Sequence, residues 1–223
     1  MILCAVCTNI PRLDYVDTNM PWAPSILKQF EIADPYSTDL TEYCGPYNSL
    51  FVDLFPHTEG FQAVPDYKAP TTLGSTDFTT RFIIRYKKFM TPVFFVDIKP
   101  VFHLDDISTR AKADEQMREQ FESIVGQNLV IPTLYGISAM GTRFSVYQYD
   151  KETSTVSPPS IPHDSKHLTD VAPVNRWNLD LLEKTGEEKF KEIAAEVRSM
   201  CEAITEWAFS NFIYLFVSFN ISQ

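Results

Sequence analysis

The sequence predicts an α/β fold in which a mixed central sheet is flanked by helices. Three observations carry that expectation. The run Val93-Phe94-Phe95-Val96-Asp97-Ile98 is apolar on both faces, which marks a central strand covered from two sides. Two strand-like runs precede it and a long amphipathic segment follows it. Hydrophobic residues make up 44% of the 223, enough to bury a full core in one domain.

Residues 1–35 carry Pro11, Pro21, Pro24 and Pro35 without sustained periodicity, so they read as an irregular arm with a short helix near Ser25 to Ile32. Residues 36–207 are expected to form a single domain. Tyr47, Leu50, Phe51, Leu54 and Phe55 recur at helical spacing, predicting a core-facing helix with Pro46 at its first position and an end near Pro56. Asp53 points off that stripe. Strands are expected over Gly60 to Tyr67, Phe78 to Tyr86 and Pro92 to Lys99. Because strand side chains alternate, Asp97 and Lys99 share one face at the end of the third.

A helix follows from about Asp106 to Val125, with Ala113, Met117, Phe121 and Ile124 as its buried stripe and Arg110 and Asp114 extending it toward the start. Strands over Leu129 to Ala139 and Thr142 to Tyr149 come next, joined at Met140-Gly141. The Pro-rich stretch at 154–175 reads as a surface loop. Phe190, Ile193, Ala194, Val197, Cys201 and Ile204 give an amphipathic C-terminal helix from about Glu187 to Trp207. The apolar tail at 208–223 is interrupted by Ser210, Asn211, Ser218 and Asn220 and falls short of the ~17–25 residues of a spanning helix. No membrane partner is expected.

A net charge of −10 sets the molecule as a whole against polyanions and anionic lipid, so a nucleic-acid role requires a local exception. The four cysteines, Cys4, Cys7, Cys44 and Cys201, are too scattered for a disulfide framework. With no basic leader at Met1, the expected compartment is intracellular, cytoplasmic or nuclear. Cys4-x-x-Cys7 lacks a second pair for zinc, His163 and His167 lie in the Pro-rich stretch, and no Gly-rich phosphate loop is present.

The chemical candidates are Asp77, then a strand, then Asp97-Ile98-Lys99. Carboxylates suit Mg²⁺, a hard cation that takes oxygen ligands, and a lysine beside them can orient an attacking water or neutralise charge growing on a phosphate. Acidic-x-Lys also occurs at Asp66-Tyr67-Lys68, Asp164-Ser165-Lys166 and Glu187-Glu188-Lys189. Only Asp97 ends a doubly buried strand, whereas Asp66 reads as adjoining a proline-bearing turn. The bland alternative is an Asp97–Lys99 ion pair surfacing at a strand end.

Ser75-Thr76-Asp77-Phe78 followed by Val93-Phe-Phe-Val-Asp97-Ile-Lys99-Pro100 resembles the PD-(D/E)xK, or restriction-endonuclease-like, nuclease superfamily, and is similar to a group of fungal hypothetical proteins built on that pattern. The resemblance spans roughly Gly60 to Asp150. It implies a restriction-endonuclease-like core, Mg²⁺ (or Mn²⁺) held by Asp77 and Asp97, Lys99 assisting the water, and phosphodiester hydrolysis in nucleic acid. Thr76 stands where the family has proline, and Asp97 where glutamate is usual. Many members add a carboxylate from the first helix, here Asp53 or Glu42, and some add a glutamine after the third strand, here Gln116 or Gln120.

Between Arg81 and Arg118 the bases Arg81, Arg85, Lys87, Lys88, Lys99, Arg110, Lys112 and Arg118 outnumber Asp97, Asp105, Asp106, Asp114 and Glu115. That local excess makes Arg110 and Lys112 the candidate phosphate contacts. The alternative to a nuclease is a non-catalytic scaffold of the same fold that binds a protein partner, with the apolar tail as the contact.

Overall fold

A computed structural model of the chain describes residues 22–37, 41–68, 79–86, 91–127, 129–162 and 172–220, with 205–220 described through the backbone alone. The class is α/β, as predicted. Helices α1 (Pro24–Ile32) and α2 (Thr41–Leu54) lead into strands β1 (Phe61–Lys68), β2 (Thr79–Tyr86) and β3 (Thr91–Lys99). Helix α3 (Ile107–Val125), β4 (Thr133–Met140), β5 (Arg143–Asp150), β6 (Thr155–Ser157), β7 (Leu179–Asp180) and α4 (Lys184–Asn220) follow.

The seven strands form one sheet in the order β1-β2-β3-β4-β5-β6, with β7 also on β5. Every pairing is antiparallel except β3 with β4. A parallel neighbour needs a long crossover, and α3 supplies it.

Strand parity divides β3 between two layers. Phe94, Val96 and Ile98 face α2 and α4, where the Phe94 ring lies 5.4 Å from Phe55, 6.1 Å from Phe190 and 6.4 Å from Phe51. Each fully buried phenylalanine of this cluster is worth about 3–5 kcal/mol against truncation to alanine. Phe95, Asp97 and Lys99 face the other way, under α3, and Phe95 meets Phe121 edge-on at 4.9 Å. Helix α3 lies close on that face because β4 offers Gly136 beneath it. A Cβ there would fall 2.5 Å from the Phe95 ring and 2.9 Å from the Met117 methyl.

Several boundaries differ from the sequence expectation, each for a physical reason. Helix α2 begins at Thr41, so Pro46 lies inside it rather than at its first position. The lost bond to the Glu42 carbonyl is offset by burial of Tyr43 one turn earlier and by the Tyr47 hydroxyl, which donates to the Gly141 carbonyl at 2.9 Å. Strand β4 starts at Thr133 rather than Leu129 because Pro132 interrupts the ladder, although Leu129 and Ile131 are still buried. The 154–175 stretch is not all loop: it contains β6, and a 3-10 turn begins at its end, Val174–Trp177, burying Trp177 completely. Helix α4, expected to end near Trp207, continues to Asn220 through most of the apolar 208–223 stretch. Among the described residues, no helix is long and apolar enough to cross a membrane.

Candidate functional site

On the face of the sheet beneath α3, Asp97 is fully buried at 0% exposure, Arg81 at 2% and Lys99 at 4%. Arg81 is the register partner of Asp97 on β2, so their side chains emerge side by side. The guanidinium engages the carboxylate as a fork, Nε to Oδ1 at 2.5 Å and Nη2 to Oδ2 at 3.0 Å. Its remaining nitrogen, Nη1, lies 3.6 Å from Oδ2 of Asp66 on β1, and this buried nitrogen has no hydrogen-bond partner. Asp97 is therefore paired with Arg81, and neither Asp97 nor Lys99 lies at the surface, where the bland alternative had them.

Two residues on, the Lys99 ammonium donates to Oε1 of Gln116 on α3. Burial pushes the Lys99 amine down to about 8; Asp97 pulls it up, and Arg81 adds to the lowering. In the turn after β3, burial and the Lys99 charge lower His103 to about 4. Desolvated and held at one end by Gln116, Lys99 is a buried amine whose charge responds to pH just above neutrality.

The structure thus brings Asp97, Lys99 and Gln116 together and leaves other candidates elsewhere. Asp77 lies outside the described residues. Asp53 is exposed on α2, in the layer opposite Asp97, and Glu42 accepts from the Asp34 backbone N–H at 3.4 Å in that same layer. Gln120 is buried on α3. Arg110, expected to meet phosphate, turns inward and donates to the carbonyls of Ala172 and Leu104, while Lys112 is exposed. Two more of the local bases are paired with acids of the same segment, Arg81 with Asp97 and Arg118 with Asp114.

Sequence reasoning missed Arg81 and Asp66 as members of this centre. The register Asp66↔Arg81↔Asp97 across three adjacent strands is what joins them. A divalent ion needs open carboxylate oxygens, yet both oxygens of Asp97 are directed at Arg81. Among the described residues no three His, Cys, Asp or Glu side chains converge. The described side chains do not fit a divalent ion in this arrangement.

Comparison with family models, with curated proteins and with solved structures returns no match.

Proposed function

We propose that this chain is a restriction-endonuclease-like core whose polar centre is closed by its own arginine, and that it acts as a non-catalytic scaffold for a protein partner. The order of elements supports the family reading: a helix, three antiparallel strands, a crossover helix and a strand parallel to the third. The observation that carries the functional reading is the Arg81 fork, which occupies both oxygens of a carboxylate at 0% exposure. A cation that is part of the chain neutralises Asp97 without any exchangeable ion. The apolar stretch that α4 carries beyond Ala208 is the proposed contact for the partner.

The test is a cleavage panel of single- and double-stranded DNA and RNA with Mg²⁺ or Mn²⁺, for which no cleavage is expected. Cleavage that disappears in both Asp97→Ala and Lys99→Ala overturns the scaffold. It would establish the second reading instead, a Mg²⁺-dependent nuclease using Asp77, Asp97 and Lys99. One specific observation favours that reading: the Lys99 amine at about 8 beside Gln116, since perturbed groups gather at reactive sites. In it, Lys99 would hold or neutralise charge at the phosphate and Gln116 would fix the amine's position.

A further inference from the structure

Helix α4 is longer than the body it covers. Its 37 residues span about 55 Å at roughly 1.5 Å each, whereas a strand of nine residues such as β3 spans about 30 Å. The start of the helix is fixed, because Phe190 is fully buried and Gly186 seats against the Asp180 backbone, so the excess length lies at the C-terminal end. The stripe that α4 buries runs through Phe190, Ile193, Ala194, Val197 and Cys201. Helical spacing continues it as Ala208, Phe212, Leu215 and Phe219, apolar at every position.

Where the buried stripe ends, the surface beside it is hollow. A groove of about 910 Å³ lies there, walled by Leu129 and Pro132 after α3, Tyr149 on β5, and Met200, Ala203 and Ile204 on α4. Among the described residues that line it, Lys151 alone is charged, and its ammonium donates to the Leu129 carbonyl at 2.7 Å. A groove so lined takes an apolar segment rather than an ion. The chain's own tail does not fold back into it. After Gly186, α4 has no Gly or Pro to break it, and the helix carries each residue beyond Ile204 about 1.5 Å further along its axis as far as Asn220.

Charge selects the occupant. Each copy carries −10, so two copies repel wherever their charged surfaces meet. From Trp207 to Gln223 no residue is charged. Tail and groove are thus an uncharged pair at one end of the molecule, and a second copy brings both halves. We propose that the partner is a second copy of this chain, the tail of each, Trp207 to Asn220, lying in the groove of the other. The proposal rests on the reading of the α4 tail as a partner contact. Because the exchange is reciprocal, it closes at two copies. An aromatic side chain buries about 150–250 Å², so three from each tail, together with the groove surface they cover, reach the roughly 1,200–2,000 Å² of a specific interface.

The experiment is sedimentation equilibrium of the full chain at micromolar concentration. Wild type is expected as a dimer. Ala203→Glu places a charge in the groove and Phe212→Glu places one in the tail. Each is expected to be monomeric, with the dimer weakened about hundredfold or more because the same fault recurs at both symmetry-related contacts. Mixed together, the two variants should form a dimer again, since the intact tail of the first meets the intact groove of the second. Ala203 is exposed, so its variant should keep the fold, as circular dichroism checks; if it does not, Val130→Glu on the wall after α3 takes its place.

A monomeric wild type overturns the inference, whether the groove then takes another protein or a small apolar molecule. So does an open series of larger species, or a groove variant that dimerises as tightly as wild type, which would mean pairing of tails alone. Variants that are monomeric separately and stay so when mixed overturn the exchange as well. These outcomes are separate from cleavage. Nuclease activity of wild type removes the scaffold reading, whereas an inert, monomeric wild type removes only the second copy as its partner.

Discussion

Two buried aspartates lie between α3 and the sheet, and they use their charge differently. Asp114 accepts from Arg118, Arg176, the Tyr147 hydroxyl and the Ile161 backbone N–H, at 2.6 to 3.1 Å. Those donors come from α3, β5, the Pro-rich stretch beyond β6 and the 3-10 turn before β7, so one carboxylate ties together segments far apart along the chain. Asp97 accepts from Arg81, which the backbone has already placed opposite it. Its charge joins two strands that are joined without it. Burying an ion pair carries a heavy desolvation cost, so the Asp114 cluster is explained by architecture and the Asp97 pair is not. That difference is why the Asp97 centre, and not the larger network, is the functional candidate.

The strongest way to break the comparison is Arg81→Ala. It leaves a carboxylate buried without its counter-charge and should cost about 3–5 kcal/mol by urea denaturation. Replacing both partners with apolar residues, Arg81→Met with Asp97→Leu, should restore most of that loss. If the double variant is as unstable as the single one, the pair is architectural after all and the contrast with Asp114 disappears.

A smaller effect is expected from Asp114→Asn, which keeps the shape but loses charge-assisted bonds, for about 1.5–3 kcal/mol. It should also expose the chain near Pro158, whose carbonyl Arg118 holds, to limited proteolysis. Burial alone would raise the Asp114 carboxyl, but Arg118, the Ile161 N–H and Tyr147 outweigh it and hold it below the ordinary carboxylate range. Its stabilisation is therefore full above the unfolded value of about 3.9 and lost as pH falls through the lower folded value. The Asn variant should lack that part of the acid-side slope.

The smallest effect sharpens the Asp97 side. With the Lys99 amine at about 8 in the fold and at about 10.4 in the unfolded chain, both states are charged below 8 and the fold bears the whole desolvation cost. Between those values the unfolded chain holds the extra proton, so the contribution of Lys99 to stability rises with pH. Lys99→Met should be more stable near neutral pH by about 1–2 kcal/mol, after the lost bond to Gln116 is counted. That advantage should close as pH climbs toward about 10, measured by denaturation across the range.

The sequence made β3 legible because five apolar residues on both faces leave few alternatives to a central strand, and alternation then put Asp97 and Lys99 on one side. Burial of Asp114 was legible in the α3 stripe, but its partner Arg176 lies 62 residues on and leaves no local trace. Arg81 was hidden for a sharper reason. Tyr86 pairs with Thr91 and Arg85 with Pro92, but Ile84 pairs with Phe94, so Val93 is an extra residue in β3. Without that bulge Arg81 would stand opposite Val96, facing the aromatic layer, and could not reach Asp97. Nothing in the spelling of either strand announces a bulge. Pro46 misled in the opposite direction, because a local helix-start rule yielded to tertiary burial of the turn before it.

The glycine beneath α3 has a consequence for residues it never touches. Met117 rests against the bare backbone of Gly136, and Gln116 is its neighbour on the helix. The clearance between helix and sheet is therefore gauged at β4, and the reach of Gln116 to Lys99 on β3 inherits that gauge. A single methyl group at position 136 would act as a shim, lifting the helix and with it the amide that holds the buried amine. The alignment of the polar centre is in this sense machined into an apolar contact on the adjacent strand.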